Sequence, residues 1–191
     1  EQGAEREDAE LVWVLDPIDG TRAFIAGKPM FGTLIALVRG CIPILGVIDQ
    51  PVLGERWIGG AGRRTTFNVA AAAVRRCGAL IDAVLNTTSP DLFTGADAAR
   101  FARLSGAVAH TQHGGDCYAY GLLASGFMDL VVEAGLKPHD FCALVPVVEG
   151  AGGTITDWQG GALSLSSDGR VIAAADPELH ARALERLNGA A

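Results

Sequence analysis

The sequence is short of several features, and each shortage excludes a class of protein. No apolar run approaches the ~18 residues of a membrane-spanning helix, so none is expected. The 4 cysteines include no Cys-x-x-Cys pair, which argues against a structural zinc site or a disulfide framework and favours reduced, buried thiols. Lysine and arginine number 15 against 22 acidic residues, and the net charge of −7 disfavours nucleic acid and anionic membranes as partners.

What the sequence does contain is typical of a globular protein with two differently built parts. Its 191 residues are 49% hydrophobic and 19% charged, enough apolar material for a real core. Apolar, strand-like runs at 11–15, 30–38, 41–49 and 55–60 predict an antiparallel sheet, with a hairpin turn at Arg39-Gly40. Beyond residue 80, strands alternate with helices. We therefore expect an antiparallel half at 1–80 and an α/β half at 81–191.

Four helices are predicted in the second half. One covers 91–104 with Asp91 as its N-cap, and another begins at Asp116. A third covers 139–153 and should be kinked or interrupted by Pro146. The last covers 176–187, with Asp176 as cap and Pro177 in the first turn.

The stretch WVLDPIDGTRAF ends a buried strand with two aspartates three residues apart, Asp16 and Asp19. Pro17 and Gly20 favour a sharp turn that would aim both carboxylates at one point. Such oxygen ligands suit Mg²⁺, and the amides of Gly20 and Thr21 could then face a phosphate. The alternative is an ordinary turn, since Asp-Pro and Asp-Gly are frequent turn formers.

This stretch resembles the signature of the inositol monophosphatase family of metal-dependent, lithium-sensitive phosphatases, and HDFCALVPVVEGAGG resembles the family's second motif. The resemblance implies a layered α/β/α/β/α sandwich, an α/β (α+β) fold shared with fructose bisphosphatases. It implies that Asp16, Asp19, Asp140 and the Ile18 carbonyl bind two or three Mg²⁺ ions. It further implies that Asp16 bridges two of these ions, that the amides of Gly20 and Thr21 bind phosphate, and that the Thr21 hydroxyl helps to position the attacking water, so that Thr21 and Asp16 are the catalytic residues. A cytoplasmic homodimer acting on a small phosphate ester is expected.

The chain departs from the family pattern at its start. The family places Gly-Glu-Glu about twenty residues before the Asp-Pro motif, and Glu1 aligns with the second Glu. The first, a metal ligand, and the N-terminal helices would precede residue 1. We therefore expect a longer native protein, low activity from these residues alone, and exposed apolar surface where those helices would pack.

Several segments resemble the histidinol-phosphate phosphatase branch of the family, among them GGDCYAYGLLASG and LVVEAGLKPHD. The resemblance places Gly114, Gly115, Asp116 and Glu133 at the substrate. Two carboxylates beside the leaving group would favour a cation such as histidinol. Asp116 could instead be a helix cap and Glu133 a solvated strand end.

Two other functions remain open from the sequence. The same chemistry could act on inositol monophosphate or another small sugar phosphate. The chain could also be an inactive, truncated metal-binding remnant.

Overall fold

The computed structural model describes residues 9–189, so Glu1 lies outside the described residues. Two sheets organise this part of the chain. The first is antiparallel in the order β1-β2-β3-β4-β5-β6. Its strands are β1 Leu11–Asp19, β2 Gly32–Arg39, β3 Ile42–Gln50, β4 Glu55–Gly60, β5 Arg63–Phe67 and β6 Ala70–Ala71. A short helix, α1 Thr21–Ile25, follows β1.

The second sheet is mixed and has the order β10-β11-β9-β7-β8. Its β7 pairs in parallel with β8 and β9, whereas β11 runs antiparallel to β9 and β10. The strands are β7 Val84–Thr87, β8 His110–His113, β9 Leu130–Glu133, β10 Thr154–Thr156 and β11 Val171–Ala174. The helices of this half are α2 Ala96–Ser105, α3 Asp116–Ala124, α4 Pro138–Phe141, α5 Leu144–Gly150 and α6 Pro177–Asn188.

The sheets and helices stack in layers because each element buries an apolar face. Helices α3 and α5 lie between the two sheets, and one buried cluster joins Leu34 and Trp57 of the first sheet to Tyr120 and Val147 of these helices. Helices α2 and α6 cover the other face of the second sheet, around a second cluster that includes Leu104. This arrangement is the predicted α/β sandwich.

The outer face of the first sheet is apolar and exposed. Alternate residues of β1 point to opposite faces of the sheet. Leu11, Trp13 and Leu15 therefore share the outer face, where they are 46%, 59% and 56% exposed. Ile42, at the start of β3, is also exposed on this face. The exposed apolar surface expected from the sequence therefore lies on the outer face of the first sheet.

One helix prediction is wrong and another is confirmed. Asp91 does not cap α2: it lies in a 3-10 turn at Pro90–Leu92, where its own amide donates to the Ser89 hydroxyl, and α2 begins only at Ala96. The helix at 139–153 is interrupted as predicted, and it forms two helices that are separated at Cys142-Ala143. Pro146 explains the break, because it lacks the amide that would bond the Cys142 carbonyl and its ring crowds that carbonyl.

Other predictions hold. The Asp176 side chain accepts a hydrogen bond from the Leu179 amide (2.9 Å) and caps α6. Three of the four cysteines are buried and all are free thiols. Among residues 9–189, no helix is long and apolar enough to span a membrane.

Candidate metal and phosphate site

The carboxyl end of β1 is irregular, and this irregularity positions both aspartates of the first motif. Pairing of β1 with β2 shifts register between Asp16 and Asp19. The Ile18 amide donates to Asp16 Oδ1 (3.1 Å), and the Thr33 hydroxyl donates to the Pro17 carbonyl (2.9 Å). The turn is therefore held by bonds on both sides of the proline.

Asp16 meets the second motif at a compact cluster. Ligand atoms of Asp16, His139 and Asp140 all lie within 4.8 Å of one another. Helix α4 fixes Asp140, whose Oδ2 accepts from the Lys137 amide at 2.6 Å. Burial raises the pKa of Asp16, and the neighbouring Asp140 charge raises it further against the bond from Ile18. A bound cation would stabilise the charged form of Asp16 at this cluster.

Asp19 points from the same turn toward the start of α3. Its Oδ2 accepts from the Cys117 amide at 2.7 Å. Burial raises the pKa of Asp19 to about 7, with smaller contributions from the charges of Asp116 and Asp140. The charge of Asp140 thus acts on Asp19. Asp19 is not, however, a member of the 4.8 Å cluster that Asp16, His139 and Asp140 form.

Gly20 joins the acidic cluster to the start of α1. Its φ is +81°, and an added Cβ would lie 2.8 Å from the Met30 carbonyl oxygen and 3.3 Å from the Asp116 carboxyl carbon. Only glycine fits this position without strain. The exposed Thr21 side chain donates to the Ile18 carbonyl at 2.9 Å, so the predicted water-positioning hydroxyl and the predicted ligand carbonyl are bonded to each other.

A cavity of about 520 Å³ opens beside Gly20 and Asp116. The predicted residues Gly114, Gly115 and Asp116 line it, together with Arg22 and Lys28. Gly114 and Gly115 have φ values of 86° and 108°, and Asp116, at +45°, also lies in the left-handed region. A non-glycine residue there carries local strain of the kind found at functional sites.

Asp116 does not act as a helix cap. Gly115 occupies the N-cap position of α3, and the Cys117 amide in the first turn donates to Asp19 rather than to Asp116. Burial raises the pKa of Asp116, the Arg22 charge lowers it, and the Asp140 charge raises it. The carboxylate therefore lies between the acidic cluster and the cationic wall of the cavity.

Glu133 lies behind the cavity. It is 3% exposed, and its Oε1 accepts from the Thr88 amide (3.0 Å) and hydroxyl, while Oε2 accepts from the Tyr120 hydroxyl at 3.4 Å. Burial raises its pKa to about 7. Thr88, which does line the cavity, separates Glu133 from it. Among the described residues Glu133 therefore does not line this cavity, and its place at the substrate stays a prediction.

His139, Asn86 and Thr88 are not among the residues that the sequence analysis assigned to the site. His139 is half-buried within the cluster, and its position beside Asp140 was the available signal. Asn86 and Thr88 gave none, since their position depends on the mixed sheet bringing β7 beside β8 and α3.

An acidic cluster beside a glycine turn, carried by an α/β sandwich, is the arrangement expected of a metal-dependent phosphatase. The comparisons with known proteins agree. The chain belongs to the inositol monophosphatase family, whose sequence model matches residues 1–190.

Among curated relatives, the chloroplastic bifunctional phosphatase IMPL2 of Arabidopsis thaliana is 55% identical over 95% of this chain and 54% of its own length. A histidinol-phosphatase of Mycobacterium tuberculosis is 34% identical over 92% of this chain and 69% of its own. Among solved structures, an inositol monophosphatase from Zymomonas mobilis superposes with a TM-score of 0.95 at 52% identity, covering 97% of this chain and 73% of that one. The chain thus spans about half the length of the first relative.

Proposed function

We propose that this chain carries the metal and substrate site of a Mg²⁺-dependent phosphomonoesterase whose preferred substrate is histidinol phosphate. The observation that carries the proposal is that the acidic cluster lies beside a cavity lined by the Asp116 carboxylate. Asp16 and Asp140 meet at one point, and Gly20 links them to Asp116 on the cavity.

The residues present fit a hard divalent cation. Asp16 and Asp140 offer closely spaced oxygens, and the pKa of Asp16 is raised first by burial and further by the charge of Asp140. Asp19 and the Ile18 carbonyl lie on the same turn and complete the proposed ligand set. A bound Mg²⁺ would polarise the phosphoryl group and lower the pKa of a bound water.

The chain's own residues would then position the ester. Free amides at Gly20 and Thr21 would face the phosphate oxygens, and Arg22 and Lys28 supply positive charge on the adjacent wall. Asp116 would bind a cationic leaving group through a charge-assisted hydrogen bond. Glu133 would support this region indirectly by fixing Thr88.

A second substrate, inositol monophosphate, is supported by the similarity to the inositol monophosphatase from Zymomonas mobilis, which is 52% identical. Its leaving group carries only hydroxyls, so it would gain nothing from the Asp116 charge. Lithium inhibition, a homodimeric assembly and a cytoplasmic location remain predictions from the family resemblance.

The test is phosphate release by the full-length gene product from histidinol phosphate, inositol 1-phosphate and glycerol phosphate, each with and without Mg²⁺. We expect Mg²⁺-dependent release with the highest kcat/KM on histidinol phosphate. Preference for inositol 1-phosphate would transfer the proposal to the second substrate, and no release from any ester would refute the phosphatase itself.

A further inference from the structure

Asn86 is a buried polar residue at the cavity for which the proposed reaction has no role. It lies on β7, is 4% exposed and lines the cavity. Among residues 9–189 its Oδ1 has no hydrogen-bond partner. Buried polar atoms nearly always have partners, so a carboxamide that lines a cavity and has an unpartnered oxygen is a candidate to bond a group that enters the cavity.

A second carboxamide lies beside it. In the parallel pair β7 and β8, Asn86 is in register with Gln112, so both side chains project from the same face of the sheet. Gln112 is exposed and also lines the cavity. Each carboxamide carries both a donor and an acceptor, and neither is charged.

The wall near this pair is apolar. Ala119, Leu122 and Met128 line the same cavity. Asp116 supplies a carboxylate there, whereas Asn86 and Gln112 supply neutral hydrogen bonding. The cavity therefore offers separate chemistry for a cation and for a flat, neutral polar group.

We propose that Asn86 and Gln112 form a leaving-group subsite that hydrogen-bonds a neutral ring with one N–H donor and one nitrogen acceptor, of which neutral imidazole is an example. This inference rests on the proposed function and deepens it. Asp116 binds the ammonium of the leaving group, the amide pair binds its ring, and the apolar wall packs against the ring face.

The test compares two esters that share an ammonium and differ in the ring: histidinol phosphate and alaninol phosphate (2-aminopropyl phosphate). Asn86→Leu keeps a similar volume without hydrogen bonding, and Gln112→Met does the same at an exposed position where folding is not threatened. For each variant of the full-length gene product we expect the ratio of kcat/KM, histidinol over alaninol phosphate, to fall about 3- to 10-fold, mainly through KM.

The matched control is Asn188→Leu, since this asparagine lies on α6 and donates to the Trp158 carbonyl rather than to the cavity. Its ratio should equal that of the wild type. An unchanged ratio in both Asn86→Leu and Gln112→Met, or an equal fall in the control, would overturn the subsite.

Binding of the phosphate-free alcohols L-histidinol and L-alaninol, measured by NMR titration, separates this inference from the proposed function. We expect Asn86→Leu to weaken L-histidinol binding by a similar factor and to shrink its advantage over L-alaninol. A wild type that releases no phosphate refutes the phosphatase, and binding still decides the subsite. If the wild type hydrolyses histidinol phosphate but neither variant weakens L-histidinol binding, the subsite alone is refuted.

Discussion

Replacing Asp19 by asparagine should make the metal-free protein more stable while weakening its metal site. Asp19 is half-buried, and loss of hydration raises its pKa to about 7, from 3.8 in an unfolded chain. The folded state therefore holds a proton that the unfolded state releases between these values. The stability associated with that proton is complete below about pH 4 and is lost as pH rises through about 7.

The magnitude follows from the shift. Each pH unit in this window costs about 1.4 kcal/mol per proton, so the charge on Asp19 destabilises the metal-free fold at pH 8 by up to about 4 kcal/mol. An asparagine removes the charge and keeps an oxygen for the Cys117 amide. Between pH 5 and 7, Asp19→Asn should flatten the pH slope of unfolding free energy by about 1.4 kcal/mol per unit. Glu133 contributes a similar slope of its own, which remains.

The assay is urea unfolding at pH 5, 6, 7 and 8 in EDTA, repeated with Mg²⁺. The control is Asp82→Asn, an exposed aspartate at the opposite end of β7 from the cavity. Mg²⁺ at a hundred times its Kd should stabilise the wild type by about 2.7 kcal/mol and the Asp19 variant much less. The same pH slope in Asp19→Asn as in the wild type, or an undiminished Mg²⁺ effect, would refute the reasoning.

Three further predictions concern the same site. Gly20→Ala should lower the free energy of unfolding, measured in urea, by about 1–3 kcal/mol, because the added Cβ meets the Met30 carbonyl at a φ of +81°. The control Gly78→Ala, which has open space around its Cβ, should not lower it. Equal losses in the two variants would deny a special role to the Gly20 turn. Asp116→Ala should reduce the kcat/KM ratio of histidinol phosphate over glycerol phosphate about ten- to hundredfold, and an unchanged ratio would leave Asp116 a structural residue. Asp140→Asn should weaken Mg²⁺ binding measured by calorimetry at least tenfold, and a wild-type affinity would remove this residue from the ligand set.

The sequence predicted those parts of the fold that local chemistry controls. The first four strands, the hairpin at Arg39-Gly40 and the Asp176 cap followed from apolar runs and turn residues, and the structure has them, whereas β5 and β6 were not predicted. Asp91 was misassigned because it lies in a separate 3-10 turn that Ser89 caps, and α2 begins only after Gly95. The residue pattern does not distinguish such a turn from the first turn of a longer helix.

The candidate site was predictable to the extent that its motifs are contiguous. The Asp16 to Thr21 turn and Asp140 were identified, and the structure brings Asp16 and Asp140 together. The position of Glu133 behind Thr88, and of Asn86 beside Gln112, depends on strand order in the mixed sheet and on packing against α3. Long-range pairing of this kind leaves little trace in one sequence.

The most direct measurement of the central claim is anomalous diffraction from crystals of the protein soaked in Mn²⁺, a cation that shares the preference of Mg²⁺ for oxygen ligands. The account predicts an anomalous peak within about 2.5 Å of carboxylate oxygens from both Asp16 and Asp140. Bound Mn²⁺ elsewhere on the protein, with no peak between these two residues at a concentration that supports binding in solution, would contradict it.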